Sequence, residues 1–254
     1  MSFINRFPFP ISAKWRYLVQ QLLRSMQQIA YPPFCMHCSE PLEDPARVLC
    51  DACVQQMPLL QKEGRCCFCF DDVETNGYRV CSTCLKHPVP WRAGGACCDY
   101  SGPAQTLVTR LKYGGVRYLS SGMSAYLYTQ WEALKWPLPD VLVPVPSPWL
   151  RRFSRGYNHS FLLAEGLSRL LQVPVVEALS RKSGDFPQAG LDQEQRQQLH
   201  RSSFQLRKRS AVTDKSVLLI DDVCTTGSTL RACADVLLEG YPSELYVIVF
   251  ARAQ

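Results

Sequence analysis

With 254 residues, the chain has room for one large domain or two modest ones. Apolar residues make up 46% and charged residues 20%, a globular composition that excludes disorder over most of the length. The formal charge of +6 is spread unevenly: +4 over 1–34, −3 over 35–100, +4 over 101–180, +4 over 181–216 and −3 over 217–254. No apolar run approaches the ~18 residues of a membrane span. The N-terminus also lacks the basic cap, apolar stretch and small-residue cleavage site of a secretory signal. The expectation is a cytoplasmic protein with no transmembrane segment.

In residues 1–34, Trp15, Leu18, Val19, Leu22, Leu23, Met26 and Ile29 fall at three- and four-residue steps. That period predicts an amphipathic helix within 1–30, stopped by Tyr31-Pro32-Pro33. Its stripe would dock on a neighbouring domain. The alternatives are a membrane-surface helix, with Lys14, Arg16 and Arg24 as cationic contacts, or a partner-binding helix.

Eleven of the thirteen cysteines lie between Cys35 and Cys98. Cys35-x2-Cys38-x11-Cys50-x2-Cys53 recurs, shifted by 31 residues, as Cys66-x2-Cys69-x11-Cys81-x2-Cys84. Zinc takes four soft ligands in a tetrahedron, and a two-residue gap lets one tight turn present two sulfurs to one ion. Without an export signal, such pairs point to metal rather than disulfides. Two structural zinc ions are expected, which would bring the formal charge from +6 to +2. Ligands pair most simply within each repeat; a cross-braced arrangement is the alternative. Zinc knuckles often place glycine after the second cysteine, where positive φ is easy. Ser39 and Phe70 stand there, so a relaxed turn is expected. Cys67, Cys97 and Cys98 fall outside the repeat, and the last two read as small apolar residues on a strand. His37 and His87 adjoin the ligands; they read as solvated, with substitution of either for a sulfur as the alternative.

From residue 93 an α/β pattern begins. Helices are predicted over 106–113, 117–134, 157–172 and 227–240, and strands over 140–145, 217–220 and 245–250. This alternation predicts a mainly parallel sheet covered on both faces, with a binding crevice at the carboxyl ends of its strands.

One such end carries the chemistry. Val217-Leu-Leu-Ile220 delivers Asp221 and Asp222, and Thr225-Thr226-Gly227-Ser228-Thr229 leads into a helix. Hydroxyls, backbone N–H groups and a helix N-terminus make an anion cradle of phosphate size. Two carboxylates beside it suit the hydroxyls of a phosphorylated ribose. A P-loop ATPase would need G-x-x-x-x-G-K-[ST] and a dinucleotide site G-x-G-x-x-G; the chain has neither.

The segment resembles the phosphoribosyl-pyrophosphate (PRPP) signature of type I phosphoribosyltransferases. Leu107-Val-Thr-Arg-Leu-Lys112-Tyr113-Gly114, Val143-Pro-Val-Pro146, Arg155-Gly156-Tyr157-Asn158 and the cysteine pairs extend the likeness. The chain over about 30–254 resembles the ComF/GntX family of competence-related proteins. The resemblance implies a double zinc ribbon over 31–92 and a parallel-sheet phosphoribosyltransferase fold over 93–254. It also implies that Asp221 and Asp222 hold ribose hydroxyls, that Thr225, Thr226, Gly227, Ser228 and Thr229 hold the 5′-phosphate, and that Pro146 and Ser147 form the pyrophosphate loop. Residues 181–203 would be the flexible loop, with Gln188, Leu191 and Arg196 on its pattern; Arg155 and Arg196 are the candidate catalytic cations. His159 stands where Gln is common, and Arg201-Ser-Ser-Phe204 lacks the usual Asn.

The implied reaction displaces pyrophosphate from PRPP, with Mg2+, by a nitrogen nucleophile. The alternative is a non-enzymatic PRPP sensor or scaffold that handles single-stranded DNA in uptake and transformation, with other competence proteins as partners. Arg201, Arg207, Lys208, Arg209 and Lys215 are the candidate DNA-phosphate contacts.

Overall fold

The computed structural model describes residues 34–44, 47–73, 79–147, 156–182 and 202–253. The N-terminal helix expected over 1–30 lies outside them, as do Arg155 and Arg196. The chain divides into two compact units, Met1–Gln55 and Gln56–Gln254, so the second cysteine group belongs to the unit that holds the sheet.

The first unit contains a tight turn at Cys35–Ser39, an isolated bridge between Phe34 and Pro41, and the short helix α1 (Asp51–Gln55).

In the second unit, the cysteine turn at Cys66–Phe70 and the helix α2 (Ser82–Lys86) precede strand β1 (Ala93–Asp99). Helices α3 (Gly102–Tyr113) and α4 (Leu119–Leu134), strand β2 (Val141–Pro144) and helix α5 (His159–Leu171) follow. Two short strands, β3 (Leu179–Arg181) and β4 (Phe204–Leu206), pair antiparallel. Then come β5 (Ser216–Cys224), α6 (Ser228–Leu238) and β6 (Glu244–Arg252). The main sheet has the order β1-β6-β5-β2, and all three pairings are parallel.

Side-chain alternation covers the sheet on both faces. Val217 and Leu219 of β5 join Leu245, Val247 and Val249 of β6 in one core with Leu230, Val236 and Leu237 of α6. The intervening residues point the other way: the Phe250 ring meets Tyr126 of α4 at 6.2 Å, and Tyr246 meets Trp136 at 5.2 Å. Val217, Leu218, Leu219 and Ile220 are all essentially inaccessible. Burying such side chains stabilises the fold by about 1.5–3 kcal/mol each. This apolar run makes β5 a central strand; β2 stops pairing with it at Ile220, so Asp221 and Asp222 lie past the end of β2 while β5 continues beside β6 to Cys224.

The predicted elements appear with shifted ends, and three features stand out. Cys97 and Cys98 are buried on a strand as expected, but that strand, β1, begins in a glycine pair of low strand propensity. At Gly94 a Cβ would stand 2.0 Å from the Phe68 carbonyl oxygen, so the cysteine turn can lie on the strand only over glycine. The Gly94 N–H donates to the Cys67 carbonyl at 2.9 Å there. The third feature is the β3–β4 pair, which brackets the segment expected to be a loop.

Candidate functional site

Each cysteine repeat closes on itself. The sulfurs of Cys35, Cys38, Cys50 and Cys53 lie within 4.8 Å of one another, and so do those of Cys66, Cys69, Cys81 and Cys84. The groups are therefore formed within repeats, not cross-braced. Cys38 and Cys50 sulfurs are 3.6 Å apart, and Cys69 and Cys81 sulfurs 3.5 Å apart. A zinc tetrahedron with 2.3 Å Zn–S bonds needs sulfurs about 3.8 Å apart, so both groups could hold structural zinc. All thirteen cysteines are free thiols. Burial raises the Cys35 thiol, but backbone hydrogen bonds from Cys38, Cys50 and His37 outweigh it and hold the group down to about 6. A ligand already poised as thiolate lowers the cost of metal capture.

The turns are not relaxed. Ser39 has φ 64° and Phe70 has φ 60°, the left-handed region that glycine would occupy. A non-glycine residue there costs about 1 kcal/mol. Hydrogen bonds enforce it: Cys35 N–H to Glu40 O at 2.7 Å and Ser39 N–H to Cys35 O at 3.0 Å. Cys66 N–H to Asp71 O at 2.8 Å and Phe70 N–H to Cys66 O at 2.9 Å repeat the pattern. Phe70 also buries its ring in the core of the second unit.

The carboxyl end of β5 opens onto a cavity of about 410 Å3. Asp221, Asp222, Thr225 and Thr229 line one side, and Pro146 and Ser147, just past β2, line another. The structure thus brings together the acid pair, the ends of the hydroxyl loop and the turn after β2. Gly227 has φ 75° and serves as the N-cap of α6. That turn lets the chain pass from strand to helix at once, and Ser228 N–H reaches Thr226 Oγ1 at 3.4 Å within it. Thr226, Gly227 and Ser228 are absent from the cavity's lining, although they belong to the same loop.

Three residues that sequence reasoning did not assign organise the acids. Ser160, in the first turn of α5, donates to Asp221 Oδ1 at 2.7 Å. Lys112 of α3 pairs with Asp222 Oδ1 at 2.8 Å. Asn158 caps α5, its Oδ1 accepting from Ser160 N–H at 3.2 Å. It accepts from the Ser147 hydroxyl at 2.7 Å as well and donates to the Val145 carbonyl at 3.0 Å. One side chain therefore fixes both the turn after β2 and the helix that carries Ser160. Asn158 before a helical period is a capping signal visible in the sequence; Lys112 lies in a stretch that extends the likeness, but nothing local pairs it or Ser160 with acids so distant in the chain.

Burial, and next the charge of Asp222, push the Asp221 carboxyl up to about 7; the Ser160 hydroxyl, the Asp222 N–H and Lys112 offset part of the rise. Asp221 is thus poised to change charge near neutrality, unlike an ordinary surface carboxylate.

Arginines join the second cysteine group to this site. Arg252, 8% exposed at the end of β6, sends Nη2 to Asp71 Oδ2 at 3.0 Å. Its Nη1 donates to the Thr225 carbonyl and lies 3.3 Å from the Cys224 carbonyl oxygen. Arg231 of α6 donates to the carbonyls of His87 and Pro88, each at 2.7 Å.

The phosphoribosyl transferase domain family matches residues 158–254. Competence protein F of Haemophilus influenzae is 31% identical over 160 residues, covering 61% of this chain and 70% of that protein. DNA utilization protein YhgH of Escherichia coli is 30% identical over 168 residues, covering 64% and 73% respectively. Among solved structures, the glutamine PRPP amidotransferase from B. subtilis aligns at 20% identity with a TM-score of 0.41, covering 56% of this chain and 30% of that one. No helix among the described residues is long and apolar enough to cross a membrane.

Proposed function

The chain belongs to the ComF family of competence and DNA-utilisation proteins, and on that premise we propose that it binds PRPP and displaces its pyrophosphate with a nitrogen nucleophile. One observation carries the proposal: the Asp221–Asp222 pair, Thr225 and Thr229 of the hydroxyl loop and the Pro146–Ser147 turn all face one cavity of about 410 Å3. That volume lies within the range of small-ligand pockets. Asp221 and Asp222 would take the ribose 2′- and 3′-hydroxyls, and Thr225 to Thr229 the 5′-phosphate, with backbone N–H groups at the α6 N-terminus adding to the cradle. Pro146 and Ser147 would border the pyrophosphate. Asp221 and Asp222 are hard oxygen donors suited to Mg2+, which when bound with the substrate neutralises charge on the departing pyrophosphate.

For the chain's own residues the work is positioning and electrostatics. Asn158 holds Ser147 in place, Ser160 orients Asp221, and Lys112 fixes Asp222 while adding positive charge at the cavity. Arg155 and Arg196 remain the proposed cations for the pyrophosphate, which their fork geometry suits.

Calorimetry with Mg2+ and PRPP on the wild type and on Asp221→Ala/Asp222→Ala tests the site. Binding by the wild type, lost in the double variant at unchanged zinc content, is expected; equal affinity in both would refute it. The relatives' names motivate a second use of the pocket, as a PRPP sensor in a protein that handles single-stranded DNA. Arg207, Lys208 and Arg209 are exposed and available to DNA phosphates. Pyrophosphate release from PRPP with candidate bases supports the enzyme; single-stranded DNA binding without such release supports the sensor.

A further inference from the structure

We infer that the second cysteine group is an integral support of the phosphate loop, with Arg252 as the positioning residue that couples metal occupancy there to PRPP binding. The inference rests on the PRPP reading of that loop.

The connection is short, and it runs through a buried arginine whose partner Asp71 is half-buried. Asp71 closes the turn that presents Cys66 and Cys69, because its carbonyl accepts from Cys66 N–H at 2.8 Å. The same residue's carboxylate holds Arg252 Nη2 at 3.0 Å. The other guanidinium nitrogen reaches the carbonyl of Thr225, the first residue of the hydroxyl loop, and the sulfur of Cys224 at 3.3 Å. One rigid, planar fork therefore spans the cysteine turn and the loop. In a trans peptide the carbonyl and the following N–H point in opposite directions. Tying the Thr225 carbonyl to Arg252 thus turns the Thr226 N–H away from Arg252 and sets the first peptide of the loop.

A second set of contacts holds the same two parts together. Arg231, one turn into the helix that the loop begins, grips the His87 and Pro88 carbonyls just past α2, the helix carrying Cys84. The Trp91 indole N–H donates to the Phe68 carbonyl, inside the Cys66–Cys69 turn, at 2.8 Å. Gly94 lets that turn approach the sheet edge. The first cysteine group lies in the other compact unit, and the contacts described above are those of the second.

Coupling of this sort is reciprocal: if zinc at the second site strengthens PRPP binding, PRPP must strengthen zinc retention there by the same factor. The test uses the full-length, zinc-loaded protein with Asp71→Asn and Arg252→Lys, neither of which removes a sulfur ligand. Zinc partition to a chromophoric chelator is measured at equilibrium with and without PRPP, alongside calorimetry for PRPP and hydrogen exchange at the amides of 225–230. In the wild type, PRPP should raise the zinc affinity of one of two sites by about fivefold or more and leave the other unchanged. Asp71→Asn should keep two zinc per chain, lose that difference, weaken PRPP binding by about fivefold to tenfold and speed exchange at 225–230. Arg252→Lys should fall between, since an ammonium cannot span both partners. Zinc affinities indifferent to bound PRPP, or variants that match the wild type in PRPP affinity and exchange, would overturn the coupling. If the wild type fails to bind PRPP, the functional reading falls, and exchange decides the inference alone: unchanged protection of 225–230 in Asp71→Asn rejects it.

Discussion

The Lys112 ammonium stands 2.8 Å from the Asp222 carboxylate, joining the last turn of α3 to the carboxyl end of β5. Asp222 is 6% exposed. Without a cation this carboxylate would be buried with its charge uncompensated. Lys112→Met is expected to cost about 2 kcal/mol, between the values for exposed and fully buried pairs. Urea denaturation measures it, and a midpoint equal to the wild type's would show that solvent screens the pair.

Each hydrogen bond to a charged group is worth about 1.5–3 kcal/mol, so removing both acids should weaken PRPP binding by at least about a hundredfold. Zinc content, measured by atomic emission, should stay at two per chain in Asp221→Ala/Asp222→Ala. Both cysteine groups are complete without these side chains.

The raised carboxyl of Asp221 sets a pH dependence with a definite sign. Its folded value, about 7, lies above the unfolded value near 4. The folded state therefore binds the proton more tightly. The associated stability is fully present below about pH 4 and is lost as pH rises through about 7. PRPP affinity should move the opposite way, rising between about pH 6 and 8 as the carboxylate that accepts ribose hydroxyls forms. Asp222, Lys112 and Ser160 surround the group, so Asp221→Asn is the proper comparison. Subtracting its calorimetric pH profile removes the titration of the substrate's own phosphates; identical profiles would refute the assignment.

Loss of one sulfur should have unequal effects in the two cysteine groups. Cys53→Ser and Cys84→Ser should each drop the metal content from two zinc to one. Only Cys84→Ser, which lies in the unit of the sheet, should lower that unit's thermal midpoint, by about 5–10 °C for a loss of a few kcal/mol. Calorimetric scanning separates the cases.

Asn158→Ala removes a helix cap and the tie to Ser147 together, with an expected cost of about 1–2 kcal/mol. Ser147→Ala breaks only the tie. It should cost less stability and still weaken binding of inorganic pyrophosphate, read by competition against PRPP.

Local regularities made much of this molecule legible. The apolar run before Asp221 required a buried strand, helix periods located α4, α5 and α6, and the 31-residue shift grouped the right eight cysteines. What stayed hidden was non-local or contrary to propensity. Ser160 and Asp221 are 61 positions apart, and Arg252 and Asp71 are 181 apart; no period or spacing links such pairs. The first turn of α3 begins Gly102-Pro103, which reads as a turn until proline is recognised at the helix start. Ser39 and Phe70 adopt backbone angles that glycine would have announced, because metal-type turns override residue preference there.

The β3–β4 ladder, where Arg181 faces Phe204 across the pair, works as a clasp at the neck of whatever chain runs between them. Once a neck is pinned, doubling the enclosed length costs only about 0.6 kcal/mol of closure entropy. Closure entropy therefore sets little limit on how long the segment joining Arg181 to Phe204 can be.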